Sequence, residues 1–169
     1  LSLSLFDQLG KLHGASARAR DLLGVAAWLH DAGKIINYYE HARNAAFIIS
    51  HAPLYGMTQK EQLTASFIAG FHHGISNKIM RSYRYAMMLT QPEWKEVRKL
   101  ATLLALAEAA DVTYEGRVTG MEATATAEGV ALTVIAEPGD HRAIDFEMQS
   151  FCKQFRKEFG KPLVIVWRR

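Results

Sequence analysis

The chain has 169 residues, 49% of them hydrophobic and 22% charged, enough to bury one core without a disulfide framework or a structural metal cluster. Its 20 Lys and Arg against 17 Asp and Glu leave a net charge of +3, too small an excess to drive non-specific nucleic-acid binding by itself. The single cysteine, Cys152, excludes an intrachain disulfide and fits a reducing compartment. No apolar run reaches the roughly 18 residues of a membrane span, so a cytoplasmic protein is expected.

Leu1 to His13 reads as the end of a helix carrying Leu5, Phe6 and Leu9 on one side. It opens without a methionine, so the chain is read as a fragment beginning mid-helix. Ala17 to His30 is a second helix, dense enough in apolar groups to be buried, with Trp28 expected in the core. A third helix covers His41 to Ser50. Thr58-Gln-Lys-Glu61 is a capping box that starts a long helix with Leu63, Phe67, Ile68 and Phe71 at helical spacing, ending at Gly74. A shorter basic helix is predicted from Asn77 to Leu89. Thr90-Gln-Pro-Glu93 starts the next one, which carries Val97, Leu100, Leu103, Leu104, Ala107 and Ala110 and fades at Asp111.

The pattern then changes. Val118 to Ala127 alternates, Glu128-Gly129 is a turn, and Val130 to Ala136 is a strand. Asp140 to Phe159 is helical, and Lys161 to Val166 closes as a strand. The expected fold is mainly α: a helical bundle over residues 1–116 with a small ββαβ appendage over 117–169 packed on it. His51 and His141 fall at loops or helix ends and are expected to be exposed.

The sharpest local signal is Leu29-His30-Asp31-Ala32-Gly33-Lys34 at the end of a buried helix. Adjacent His and Asp can ligate one cation where the chain turns, the imidazole giving a neutral nitrogen and the carboxylate a charge. With the apolar Ala-Ala-Trp-Leu run before it, Gly-Lys after it, and Asp111 late in another apolar helix, this pattern resembles the HD superfamily. The resemblance implies an HD-type bundle and a divalent-metal set of His30, Asp31 and Asp111. The further histidine of that superfamily has no counterpart, because His13 lies too close to the pair. Without a metal the trio is expected to be bonded together across the bundle.

Five separated stretches point to one branch. Ser4-Leu-Phe-Asp-Gln-Leu9 with Leu12-His13-Gly14, Leu22 to Lys34, Ile36-Asn-Tyr-Tyr-Glu-His41, Gly56 to Leu63 before Phe71-His72, and the helix ending in Asp111 together resemble the C-terminal region of the exopolyphosphatase/guanosine pentaphosphate phosphatase (Ppx/GppA) family. The resemblance covers about residues 1–115. It implies a substrate-binding and dimerisation domain with no catalytic residue of its own. In such a parent enzyme, magnesium and the active site belong to N-terminal actin-like domains, and the substrate is inorganic polyphosphate or guanosine pentaphosphate. The family's histidine-rich run is reduced here to His41 and Arg43. The alternative reading is a metal-dependent HD phosphohydrolase acting on a nucleotide or phosphate ester.

Lys78, Arg81 and Arg84 fall three apart on one predicted helical face, after His72 and His73. A polyanion has no base edges to read, so rows of guanidinium and ammonium groups suit it. The polyphosphate-binding set is therefore read as Lys78, Arg81, Arg84, His72, His73 and Arg43.

Overall fold

The computed structural model describes residues 1–75 and 85–168. The helices are α1 (Ser2–Gln8), α2 (Gly10–His13), α3 (Ala17–Leu29), α4 (His41–His51), α5 (Gln59–Gly70), α6 (Gln91–Ala109), α7 (Arg142–Ser150) and α8 (Cys152–Phe159). The strands are β1 (Val118–Ala125), β2 (Val130–Ala136) and β3 (Leu163–Arg168). The protein is thus mainly α with a small three-stranded sheet at its C-terminal end. Among the described residues no helix is long and apolar enough to cross a membrane.

Helix α5 is the centre of the bundle. Every residue from Leu63 to Gly70 is buried, and the helix packs on α3, α4 and α6. Its start is fixed locally: the Glu61 amide donates to Thr58 Oγ1 at 3.2 Å, and Thr58 N donates back to Glu61 Oε2 at 2.7 Å. The same device starts α6, where Thr90 N donates to Glu93 Oε2 at 2.7 Å and Pro92 occupies the first turn. At the far end of α5, Gly70 lets α4 approach, since an added Cβ would lie 3.0 Å from that of Ala46.

Strand β2 is central in the sheet, antiparallel to β1 and parallel to β3. Its alternating Val130, Leu132, Val134 and Ala136 are buried, as period-2 pleating requires when one face is covered. The parallel β2–β3 pair needs a crossover, supplied by α7 and α8. One apolar core runs from Leu23, Phe67 and Leu103 into Leu132, Ile144 and Phe155.

Several expectations are corrected. The first helix breaks at Leu9, whose ψ of 16° separates α1 from α2. The long capped helix stops at Gly70, not Gly74. The tail helix divides at Phe151. Of the basic helix expected over Asn77 to Leu89, residues 77–84 lie outside the described residues, and Ala86–Met88 form a 3-10 turn. Trp28 is 87% exposed, because the buried face of α3 is Ala19, Leu22, Leu23 and Ala26 and residue 28 lies nearly opposite it. His141 is not open to solvent through its nitrogens: both are buried, and its ring stacks on Trp167 at 5.0 Å.

Candidate metal centre

Three histidines sit where a helix ends or begins, and each uses Nδ1 in the same way. His30, just past α3, bonds Ala27 O at 2.7 Å. His72, just past α5, bonds Ala69 O. His41, at the start of α4, bonds Tyr38 O at 2.7 Å. Each carbonyl lies three residues earlier, and those of Ala27 and Ala69 belong to a last helical turn, where acceptors lack intrahelical donors. A carbonyl only accepts, so Nδ1 carries a proton in all three rings and Nε2 is the atom left to face the interior.

Those Nε2 atoms converge. His41 Nε2 lies 3.1 Å from His72 Nε2 and 3.0 Å from His73 Nε2. Glu108, near the end of α6, places Oε2 3.3 Å from His72 Nε2 and Oε1 3.6 Å from His73 Nε2. Asp31 Oδ1 is 3.5 Å from His41 Nε2 and 3.8 Å from His30 Nε2. His41, His72, His73 and Glu108 form one group with ligand atoms within 4.8 Å of one another, and His30, Asp31 and Glu108 form a second. Glu108 belongs to both.

Burial dominates the electrostatics. It pushes the Glu108 carboxyl up to about 7, reinforced by the like charge of Asp31. It drives His72, fully buried, down to about 3. His73 is lowered by the same cause and by His41. Burial also works to raise Asp31, but the Lys34 ammonium at 2.5 Å, with His30 and His41, outweighs it and lowers that group. Lys34 Nζ also donates to Tyr114 Oη at 2.8 Å, which fixes one side of the site. Asp31 Oδ1 and Glu108 Oε2 are buried without a hydrogen-bond donor among the described residues. Neutral imidazoles with carboxylates are the donor set of borderline divalent cations such as zinc, iron or cobalt.

Close backbone packing holds the two halves of the site together. The 3-10 turn Ala32–Ile35 lies against the start of α4, and a Cβ on Gly33 would fall 2.0 Å from His41 O and 2.4 Å from Ala45 N. Only glycine permits that approach.

The sequence-predicted residues are distributed unevenly. His30 and Asp31 are in the cluster. Asp111 is in neither group: it lies past the end of α6, and its Oδ1 accepts from the Gly116 amide at 3.0 Å. It only shares with His30, Asp31, Glu108 and Tyr114 the wall of an adjoining cavity of about 250 Å³. His72 faces inward to His41 and Glu108, whereas His73 is half exposed. His41, His73 and Arg43 line an open groove of about 390 Å³ with Tyr38, Tyr39 and Glu40. Arg43 Nη1 is 3.7 Å from Glu40 Oε2. Lys78, Arg81 and Arg84 lie outside the described residues. His13 is buried elsewhere, bonded to Phe6 O and the Ala15 amide. Sequence reasoning missed Glu108. Its signal was a lone carboxylate inside the apolar run Leu103–Ala110, one turn before Asp111.

The family model described as Ppx/GppA phosphatase, domain III, matches residues 1–143. The chain belongs to the Ppx/GppA family. The comparison with curated proteins found no match. The domain III match spans all six residues of the cluster, so the centre lies within the family's own domain rather than in a graft upon it.

Proposed function

We propose that this domain III is the substrate-holding part of a Ppx/GppA phosphatase, binding inorganic polyphosphate or guanosine pentaphosphate beside N-terminal actin-like domains that supply the magnesium site. The observation that carries this reading is the open groove of about 390 Å³ that Arg43 and His73 line together with Tyr38, Tyr39 and His41. Its chemistry suits a phosphate chain: a guanidinium and an imidazole for the oxyanions with aromatic walls, Glu40 being the one acid in the lining. Lys78, Arg81 and Arg84 extend the basic character in sequence. In the same reading the domain pairs with a second copy, as the family resemblance implies.

Titration with short and long polyphosphate at two salt concentrations tests it. Length-dependent binding that weakens steeply with salt, and that Arg43→Ala reduces, is the expected result. Binding that is absent, or indifferent to salt and to Arg43→Ala, discards it. Competition with guanosine pentaphosphate separates the two substrates, and sedimentation of the chain reports the dimer.

A second reading is favoured by the cluster itself. His30, Asp31 and Glu108 would hold a divalent ion whose contribution is Lewis acidity toward a phosphoryl oxygen. The chain would then be a metal-dependent phosphohydrolase acting on a nucleotide or phosphate ester. Turnover of a generic phosphate ester in the presence of manganese, lost in Asp31→Asn, supports it. No turnover with any divalent ion removes it.

A further inference from the structure

We infer that the crevice lined by His141, Asp145 and Trp167 binds a neutral nucleoside, with the base laid on the stacked rings. It shares no residue with the polyphosphate groove or with the histidine–carboxylate cluster, and the inference holds whether or not those readings survive. Asp145, Trp167 and Arg168 lie beyond the matched residues 1–143, so the site is not built from domain III alone.

Chain order places the crevice. Strand β2 ends at Ala136, α7 starts at Arg142, and the crossover returns to β3, which runs parallel to β2 and ends at Arg168. Ala136, Arg142, Trp167 and Arg168 line one cavity of about 380 Å³. It therefore opens at the carboxyl ends of a parallel strand pair, beside the first turn of the crossover helix. Connections diverge there, and ligands of α/β sheets settle in such crevices. The volume falls in the range of small-molecule sites, roughly 300–1,000 Å³.

The rings are fixed before any ligand arrives. Trp167 Nε1 donates to Asp145 Oδ1 at 2.8 Å, and the His141 ring lies 5° from parallel to the indole with centroids 5.0 Å apart. Stacked rings of this kind form a platform that a base can cover. The surrounding charges are already spent on one another. Arg142 holds both oxygens of Asp140, at 3.0 and 2.7 Å, and Arg168 holds Glu122 at 2.9 Å. Arg117, against Gly139, is paired with Glu115. A phosphate would meet carboxylates here, and an ammonium would meet guanidiniums. What remains unspent is hydrogen-bonding capacity. Asp145 Oδ2 and both buried nitrogens of His141 have no partner among the described residues. The stack alone holds the imidazole, so the ring can turn about its Cβ–Cγ bond without breaking a hydrogen bond and present a nitrogen to the cavity. A nucleobase meets these demands together. It is flat and uncharged, and its edge carries an N–H for the carboxylate beside a ring nitrogen or carbonyl for the imidazole.

The test is titration of the isotope-labelled chain with adenosine and with cytidine, followed by NMR at the Trp167 indole N–H, whose resonance is identified by its loss in Trp167→Phe. That resonance should move with a Kd of about 1 mM or tighter, and equally concentrated inorganic phosphate and benzylamine, the charged controls, should leave it in place. Calorimetry then reads the variants. Trp167→Leu should weaken adenosine by about 5-fold or more, the low end of base–ring stacking, and Trp167→Phe should recover most of that loss. His141→Phe keeps a ring on Trp167 and removes two unpaired nitrogens. It should raise the melting temperature while weakening adenosine by about 3-fold or more, a split that a purely structural histidine would not give. Circular dichroism checks the fold of each variant. The inference is overturned if neither nucleoside moves the Trp167 resonance at about 5 mM. It is equally overturned if phosphate or benzylamine moves it as far, or if folded Trp167→Leu and His141→Phe bind adenosine as the parent chain does.

Discussion

Helices α5 and α6 have two ends that were built differently. At their N-terminal ends the polar groups are matched. Thr58 and Glu61 cap each other, Thr90 and Glu93 do the same, Arg18 grips both oxygens of Glu61 at 2.7 and 3.1 Å, and Lys60 reaches Glu93 at 2.6 Å. At their C-terminal ends, His72 and the Oε2 atom of Glu108 are buried, with His72 Nε2 3.1 Å from His41 Nε2 and 3.3 Å from Glu108 Oε2. The first end is closed on itself and gains only local stability. The second keeps unsatisfied groups in a low-dielectric setting, at a cost to the fold that a ligand can return.

The comparison can be broken most severely at Gly33. Gly33→Ala drives a methyl into His41 O and Ala45 N, backbone atoms that cannot swing aside, and should lower stability by about 3 kcal/mol or more in urea unfolding. Because the same turn carries Asp31, the substitution should also scatter the cluster, whereas the capped ends of α5 and α6 stay intact.

Glu108→Gln sharpens the contrast. The amide is nearly isosteric, adds two donors beside imidazole nitrogens, and removes a buried charge near Asp31. Chelator-treated protein should gain about 1–2 kcal/mol, the penalty of an unsatisfied buried group. A loss of stability instead would mean that Glu108 is already paired and that the two ends are alike. Thr58→Ala, at the closed end, should lose about 1 kcal/mol and leave metal retention unchanged.

The smallest effect is in acid. Glu61 is held at about 2 by the Arg18 guanidinium and the Thr58 amide, and Glu93 at about 2 by Lys60 and Thr90, against an ordinary value of 4.5. Both are depressed, so their contribution is present above 4.5 and is lost as pH falls toward 2. The melting temperature should drop across that window, and the drop should shrink in Glu93→Gln. Both carboxylates are exposed or nearly so, which keeps the effect modest.

The closed end was largely legible in the sequence and the open end only in part. Thr58-x-x-Glu61 and Thr90-x-x-Glu93 name their own partners, and the alternation in Val130–Ala136 names a strand with one buried face. His30 and Asp31 stood out because a helix stops there at a glycine-containing turn. Asp111 is named because the HD pattern asks for an aspartate late in an apolar helix, but α6 ends at Ala109, so Asp111 turns away to the Gly116 amide while Glu108 remains on the helix. Trp28 was placed inside by the apolar density of its segment, although the helical phase of Leu22 and Ala26 puts it outside.

The sequence by itself determined the main bundle helices α3 to α6, the capping boxes of α5 and α6, the three strands and the family resemblance, because these rest on contacts three or four residues apart or on local periodicity. Only the tertiary structure decided that His41 meets His72, 31 residues away, and that Glu108 joins them. The physical reason is that the meeting depends on how closely backbones approach, at Gly33 against α4 and at Gly70 against Ala46, and on where three helix ends converge. No local pattern in the chain specifies that convergence.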